Sequence, residues 1–73
     1  MLSREKLIEM VKKLANAEYS EKDGDEAINV LKRETGDKLI SDYIFWADPE
    51  LSPEDVVDLA LGLRDIEYRR FEP

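Results

Sequence analysis

The sequence has no cysteine and no histidine. Without cysteine there can be no disulfide, thiolate metal site or nucleophilic thiol. Without histidine the commonest general base and the commonest metal ligand are missing. Glycine and proline are scarce, three of each in 73 residues, and they fall where helices are expected to stop or start. No run reaches the roughly 20 apolar residues that a membrane-crossing helix needs. The opening stretch Met1-Leu2-Ser3-Arg4-Glu5-Lys6 lacks the apolar core of a secretory signal. A cytoplasmic protein is therefore expected. Residues 1–73 are read as one domain. A domain this small buries only about 60% of its unfolded surface, which leaves little core to hollow into a substrate cavity.

What the chain has is charge of one sign. Its net charge is −7. From Glu18 to Asp58 thirteen acids face four bases, a local net of −9, and the two ends together carry +2. Bare nucleic acid needs a positive face, so it is a poor match. A basic protein is the natural complement. The plain alternative is an acidic surface that only keeps the protein soluble.

Four helices are expected. Ser3 can cap the first, in which Leu7, Val11 and Leu14 recur at helical spacing with Ile8 and Ala15 beside them. Lys12 and Lys13 suit its C-terminal end, and it should fade around Asn16 to Tyr19. Ser20-Glu21-Lys22-Asp23 opens the second, a cap followed by acids. This helix runs to about Thr35, with Ala27, Val30, Leu31 and Glu34 on one side and Gly36 as its stop. Gly24 is odd there, because an interior glycine costs about 1 kcal/mol relative to alanine. Ser41 can cap a short third helix over Ser41-Asp42-Tyr43-Ile44-Phe45-Trp46, ended by Asp48-Pro49. A strand is the competing reading of these aromatics, rejected because it would have no pairing partner. Ser52-Pro53-Glu54-Asp55 starts the fourth helix. Val56, Leu59, Ala60, Leu63 and Ile66 form its expected buried stripe, and Arg64, Arg69 and Arg70 lie near its end. The tail Phe71-Glu72-Pro73 is expected to fray. The fold class is all-α, a distorted antiparallel four-helix bundle with a short third helix.

Two segments point to function. Successive helical residues project about 100° apart, so a short helix cannot bury Tyr43, Ile44, Phe45 and Trp46 together. Ile44 is the expected core member; Phe45 and Trp46 are expected outside, with Asp42 and Asp48 beside them. Exposed aromatics in an acidic rim resemble a binding hot spot, although a lone tryptophan can equally close the bottom of a bundle. The second segment is the start of helix two. Glu21, Asp23, Asp25 and Glu26 exceed the one or two acids that the helix dipole accommodates, and an opposing cationic surface would explain the excess.

The order of motifs carries a resemblance. Leu7-Ile8-Glu9-Met10-Val11, Asn16-Ala17-Glu18, Ser20-Glu21, Glu34-Thr35-Gly36, the aromatic segment 41–46 and Ser52-Pro53-Glu54-Asp55-Val56-Val57 follow one another as in the immunity proteins of nuclease-type colicins and pyocins. That family resembles this chain in an Asn-Ala turn, Ser-Glu-Glu at helix two, Ser-Asp-Leu-Ile-Tyr-Tyr-Pro at helix three and Ser-Pro-Glu at helix four. The resemblance implies a four-helix inhibitor of a basic nuclease toxin domain, most directly an HNH-type DNase, that binds beside the active site and excludes nucleic acid. It implies that Ser41, Asp42, Phe45 and Trp46 form the anchor on helix three. It also implies that Glu21, Asp25, Ile28, Asn29 and Lys32 are contact and specificity residues on helix two. Neither catalytic residues, cofactor nor metal are implied, and the free protein would be a monomer or weak homodimer. The chain departs from the family in several places. Both phenolic hydroxyls of the anchor are lost, Leu63 replaces a frequent tryptophan, the glycine-rich tail is absent, and Gly24 and Lys32 are unusual.

Other classes fit less well. An acidic acyl-carrier-like protein matches in size and charge but needs an Asp-Ser attachment motif, and here the order is Ser41-Asp42. Paired carboxylates can hydrolyse glycosides, yet so small a bundle offers no evident cleft. Asp23-Gly24-Asp25 hints at calcium but lacks the EF-hand spacing.

Overall fold

A computed structural model describes residues 2–70. The expected fraying of Phe71-Glu72-Pro73 falls outside the described residues. The chain is mostly helical, with four helices among the described residues. They are α1 (Arg4–Ala15), α2 (Glu21–Thr35), the short α3 (Ile40–Phe45) and α4 (Pro53–Leu61). A pair of two-residue strands, β1 (Ala47–Asp48) and β2 (Arg69–Arg70), runs antiparallel, with Ala47 opposite Arg70 and Asp48 opposite Arg69.

Three serines start three helices by the same device. The Oγ of Ser3 accepts from the Lys6 N–H at 3.1 Å, that of Ser20 from Asp23 at 3.2 Å and that of Ser52 from Asp55 at 3.1 Å. Each satisfies a backbone donor with no intrahelical partner, and such a cap contributes about 1 kcal/mol. Helix α3 begins differently from expectation. Its cap position is Leu39, with no side-chain cap, and Ser41 lies inside the helix. Asp37 does the work from outside: one carboxylate oxygen accepts from the Leu39 N–H at 2.8 Å and the other from the Tyr43 hydroxyl at 2.7 Å. A carboxylate upstream has replaced the serine as organiser of the turn.

The core joins Leu7, Met10, Val11 and Leu14 of α1 to Ala27 and Leu31 of α2, Ile40 and Tyr43 of α3, and Val56, Val57 and Ala60 of α4. Leu31, Ile40 and Val57 are fully buried, and burying side chains of this kind is worth roughly 1.5–3 kcal/mol each. One expectation about this core needs correction. Ile44 is only half-buried against the core, and Tyr43 joins Ile40 as a buried residue of α3. Tyr43 can do so because its hydroxyl reaches Asp37, while its ring meets Tyr68 edge-on at 5.4 Å between centroids.

Helix α4 stops earlier than its apolar spacing suggests. Gly62 takes a left-handed conformation (φ 75°), its N–H bonds to the Leu59 carbonyl, and the Leu63 N–H reaches back to Asp58 at 2.9 Å. This closure ends the helix. Leu63 is consequently exposed, Ile66 is half-buried beyond the helix, and Arg69 and Arg70 lie in β2 instead of at a helix end. The aromatic segment is helical, as expected, but an unforeseen two-residue strand follows it at Ala47–Asp48, because the chain after Gly62 returns to pair with it.

Asp58 is buried on α4 and is held by Arg4 on α1. The guanidinium grips both carboxylate oxygens, at 2.7 and 3.0 Å. This two-pronged geometry is what makes a buried carboxylate tolerable. The hydrogen bond from Arg4 holds the Asp58 carboxyl below its ordinary pKa, with the charges of Arg4 and then Arg64 acting in the same direction.

Candidate functional site

The end of α1, the start of α2 and the last residue of α3 surround a shallow groove of about 310 Å³. Leu14 and Ala17 come from the α1 end, Tyr19 and Ser20 from the connection, Glu21, Gly24, Asp25 and Ile28 from α2, and Phe45 from α3. The spacing of α2 explains its share. Positions 21, 24, 25 and 28 are three or four apart and therefore lie on one face. The two carboxylates are exposed and Ile28 is half-buried against the core, so the groove has an apolar floor and an acidic rim.

Phe45 also walls a second depression, of about 400 Å³, with Ile44, Ala47, Asp48 and Glu50. The ring is half exposed (50%) and stands between the two hollows. Their charged lining residues are Glu21 and Asp25 on one side and Asp48 and Glu50 on the other, all carboxylates. A third and larger depression, about 510 Å³, lies beside the strand pair and is lined by Asp48, Pro49, Ile66, Glu67, Tyr68 and Arg69. Its charges are mixed, and it contains none of the residues singled out from the sequence.

Of those residues, the structure gathers Glu21, Asp25, Ile28 and Phe45 around one groove. Trp46 is 37% exposed and caps the C-terminal end of α3, its N–H bonded to the Asp42 carbonyl at 2.9 Å; it lines none of the three depressions. Asn29 is exposed on α2, while Lys32, Ser41 and Asp42 are half-buried outside the groove. Sequence reasoning missed Ala17 and Tyr19 as groove residues. Lys13 sits over the Tyr19 ring, its ammonium 5.9 Å from the centroid, within the reach of a cation–π contact. Among the described residues no cluster of three or more acids is arranged to hold a metal ion, and no helix is long and apolar enough to cross a membrane.

One comparison gives a relative. The chain is 33% identical over 64 residues to the uncharacterized protein YezA of Bacillus subtilis, across 88% of this chain and 94% of that one. This chain belongs to the YezA family. No protein-family model matches it, and no solved structure matches it significantly. The similarity to YezA takes in nearly the whole of both chains.

Proposed function

We propose that this member of the YezA family is a cytoplasmic immunity-type inhibitor, a protein that binds a basic nuclease toxin domain one-to-one and keeps nucleic acid from it. The observation that carries this reading is Phe45, a half-exposed ring between two hollows whose only charged lining groups are carboxylates. A water-exposed aromatic at the centre of an acidic surface has the composition of an interface hot spot for a cationic partner. The motif order shared with the immunity proteins supports the same reading, and with it an arrangement of the four helices as a distorted antiparallel bundle. An acyl-carrier role draws no such support, since Ser41 is half-buried in α3 and Asp42 follows it.

In this mechanism the acids accelerate encounter with the nucleic-acid-binding face of the toxin, and the rings then anchor the complex. Titration of the chain into HNH-type DNase domains of bacteriocins, followed by DNA cleavage, tests it. Cleavage should cease at one equivalent. Phe45→Ala and Trp46→Ala should each raise the dissociation rate by about 30-fold, the equivalent of a hot-spot loss near 2 kcal/mol. Glu21→Lys and Asp25→Lys should slow association, most at low salt. A chain that inhibits neither these domains nor basic ribonuclease domains is not an inhibitor of this class.

A further inference from the structure

Two residues of the groove break the local rules of the helices that carry them. Ala17 sits at φ 55°, in a turn where the Glu18 N–H reaches Lys13 and the Ala17 N–H reaches Leu14. That is the left-handed position after a helix that normally belongs to glycine. Seven residues on, Gly24 occupies the interior of α2, where alanine is preferred. The fold does not demand this glycine. A Cβ at Gly24 would meet Leu14 Cδ2 and Tyr19 Cβ, each at 3.7 Å, which is ordinary contact. Local choices that contradict the fold without need collect at functional sites, and these two line the same groove. The missing methyl of Gly24 leaves its floor open.

We infer that the groove between α1 and α2 is a seat for one long cationic side chain, an arginine or lysine presented by the partner. This rests on the reading of the partner as a basic protein and adds what the groove takes from it. At about 310 Å³ the groove lies at the bottom of the range for small-molecule pockets, a size for one side chain. Leu14, Ile28 and the Phe45 ring offer apolar walls to the alkyl stem. Glu21 and Asp25 stand at the rim for the charged head. The dipole of α2 opposes a cation by only about half a charge, against a net charge of −3 over residues 21–26, four acids and Lys22. Lys13 lies over Tyr19 at the groove's edge, and its charge offsets part of this acidic excess.

The test is an NMR titration of the ¹⁵N-labelled full chain with butylguanidinium chloride, a mimic of the arginine side chain. Guanidinium chloride supplies the head without the stem, and hexanoate a stem with the opposite charge. Butylguanidinium should give saturable shifts centred on the amides of Leu14, Gly24 and Ile28, and the other two probes should not. Gly24→Ala, and separately Glu21→Gln with Asp25→Asn, should weaken this binding at least about fivefold, whereas Leu63→Ala, at an exposed site outside the groove, should leave it unchanged. Absent saturation, an equal response to hexanoate, or full-strength binding by Gly24→Ala overturns the inference. Nuclease inhibition that is indifferent to Gly24→Ala also overturns it and leaves the inhibitor reading standing. Cation binding in the groove by a chain that inhibits no basic nuclease upholds the seat and removes the toxin as its partner.

Discussion

Alanine at position 24 should make the protein more stable. Glycine in a helix interior is worse than alanine by roughly 0.5–1 kcal/mol, because the unfolded chain loses more freedom on folding. The new methyl would lie in ordinary contact with Leu14 and Tyr19. Full burial of a methylene is worth about 0.8 kcal/mol, and at this half-buried site about half of that is expected. Position 24 lies in the helix's opening turns, where the backbone term takes its lower value, so the sum is about 1 kcal/mol. For a domain of this size that raises Tm by roughly 4–8 °C. Thermal and urea unfolding followed by far-ultraviolet circular dichroism would measure it. Ala17→Gly should also stabilise, by about 0.5 kcal/mol, since relief of the left-handed strain exceeds the added freedom of the unfolded chain. If Gly24→Ala lowers the Tm, the methyl does not fit, and the claim that the fold has no need of this glycine is wrong.

The opposite sign is expected at Gly62, whose φ of 75° ends α4: Gly62→Ala should cost about 1–2 kcal/mol in the same unfolding measurements. Asp58→Asn should destabilise the protein at neutral pH and flatten its acid unfolding curve. The Asp58 pKa is depressed in the folded state, so its contribution is fully present above the ordinary aspartate range and drains away as pH falls below about 4. Tyr43→Phe should cost about 1–2 kcal/mol in urea unfolding, because it removes a hydrogen bond to a carboxylate while keeping the ring. In the parent protein burial, and then Asp37, hold the Tyr43 phenol above its ordinary pKa, so this ring should stay un-ionised in an ultraviolet titration through the normal tyrosine range.

Local chemistry carried the sequence reading furthest. Ser3, Ser20 and Ser52 cap their helices as expected, Gly36 stops α2 in a left-handed conformation, and Leu7, Val11 and Leu14 are buried. Caps depend on groups three residues apart, and amphipathic spacing on groups three or four apart, so both are written in the chain itself. The aromatic crowding at 43–46 likewise announced that large rings would remain in water, because no helical geometry hides four consecutive side chains on one face.

Tertiary structure decided what depends on distant partners. Tyr43 rather than Ile44 is buried in the core because Asp37 and Tyr68 were there to receive it. Asp58 became a buried charge because Arg4, 54 residues away, closes on it. The strand pair formed because the chain beyond Gly62 turned back toward Ala47. The groove belongs to the same class. Gly24 looked only anomalous in sequence, and Glu21, Asp25 and Ile28 were expected as contact residues on helix two with no sign that they share a hollow. Folding set them against Ala17 and Phe45, and a concave surface exists only once separate helices have packed.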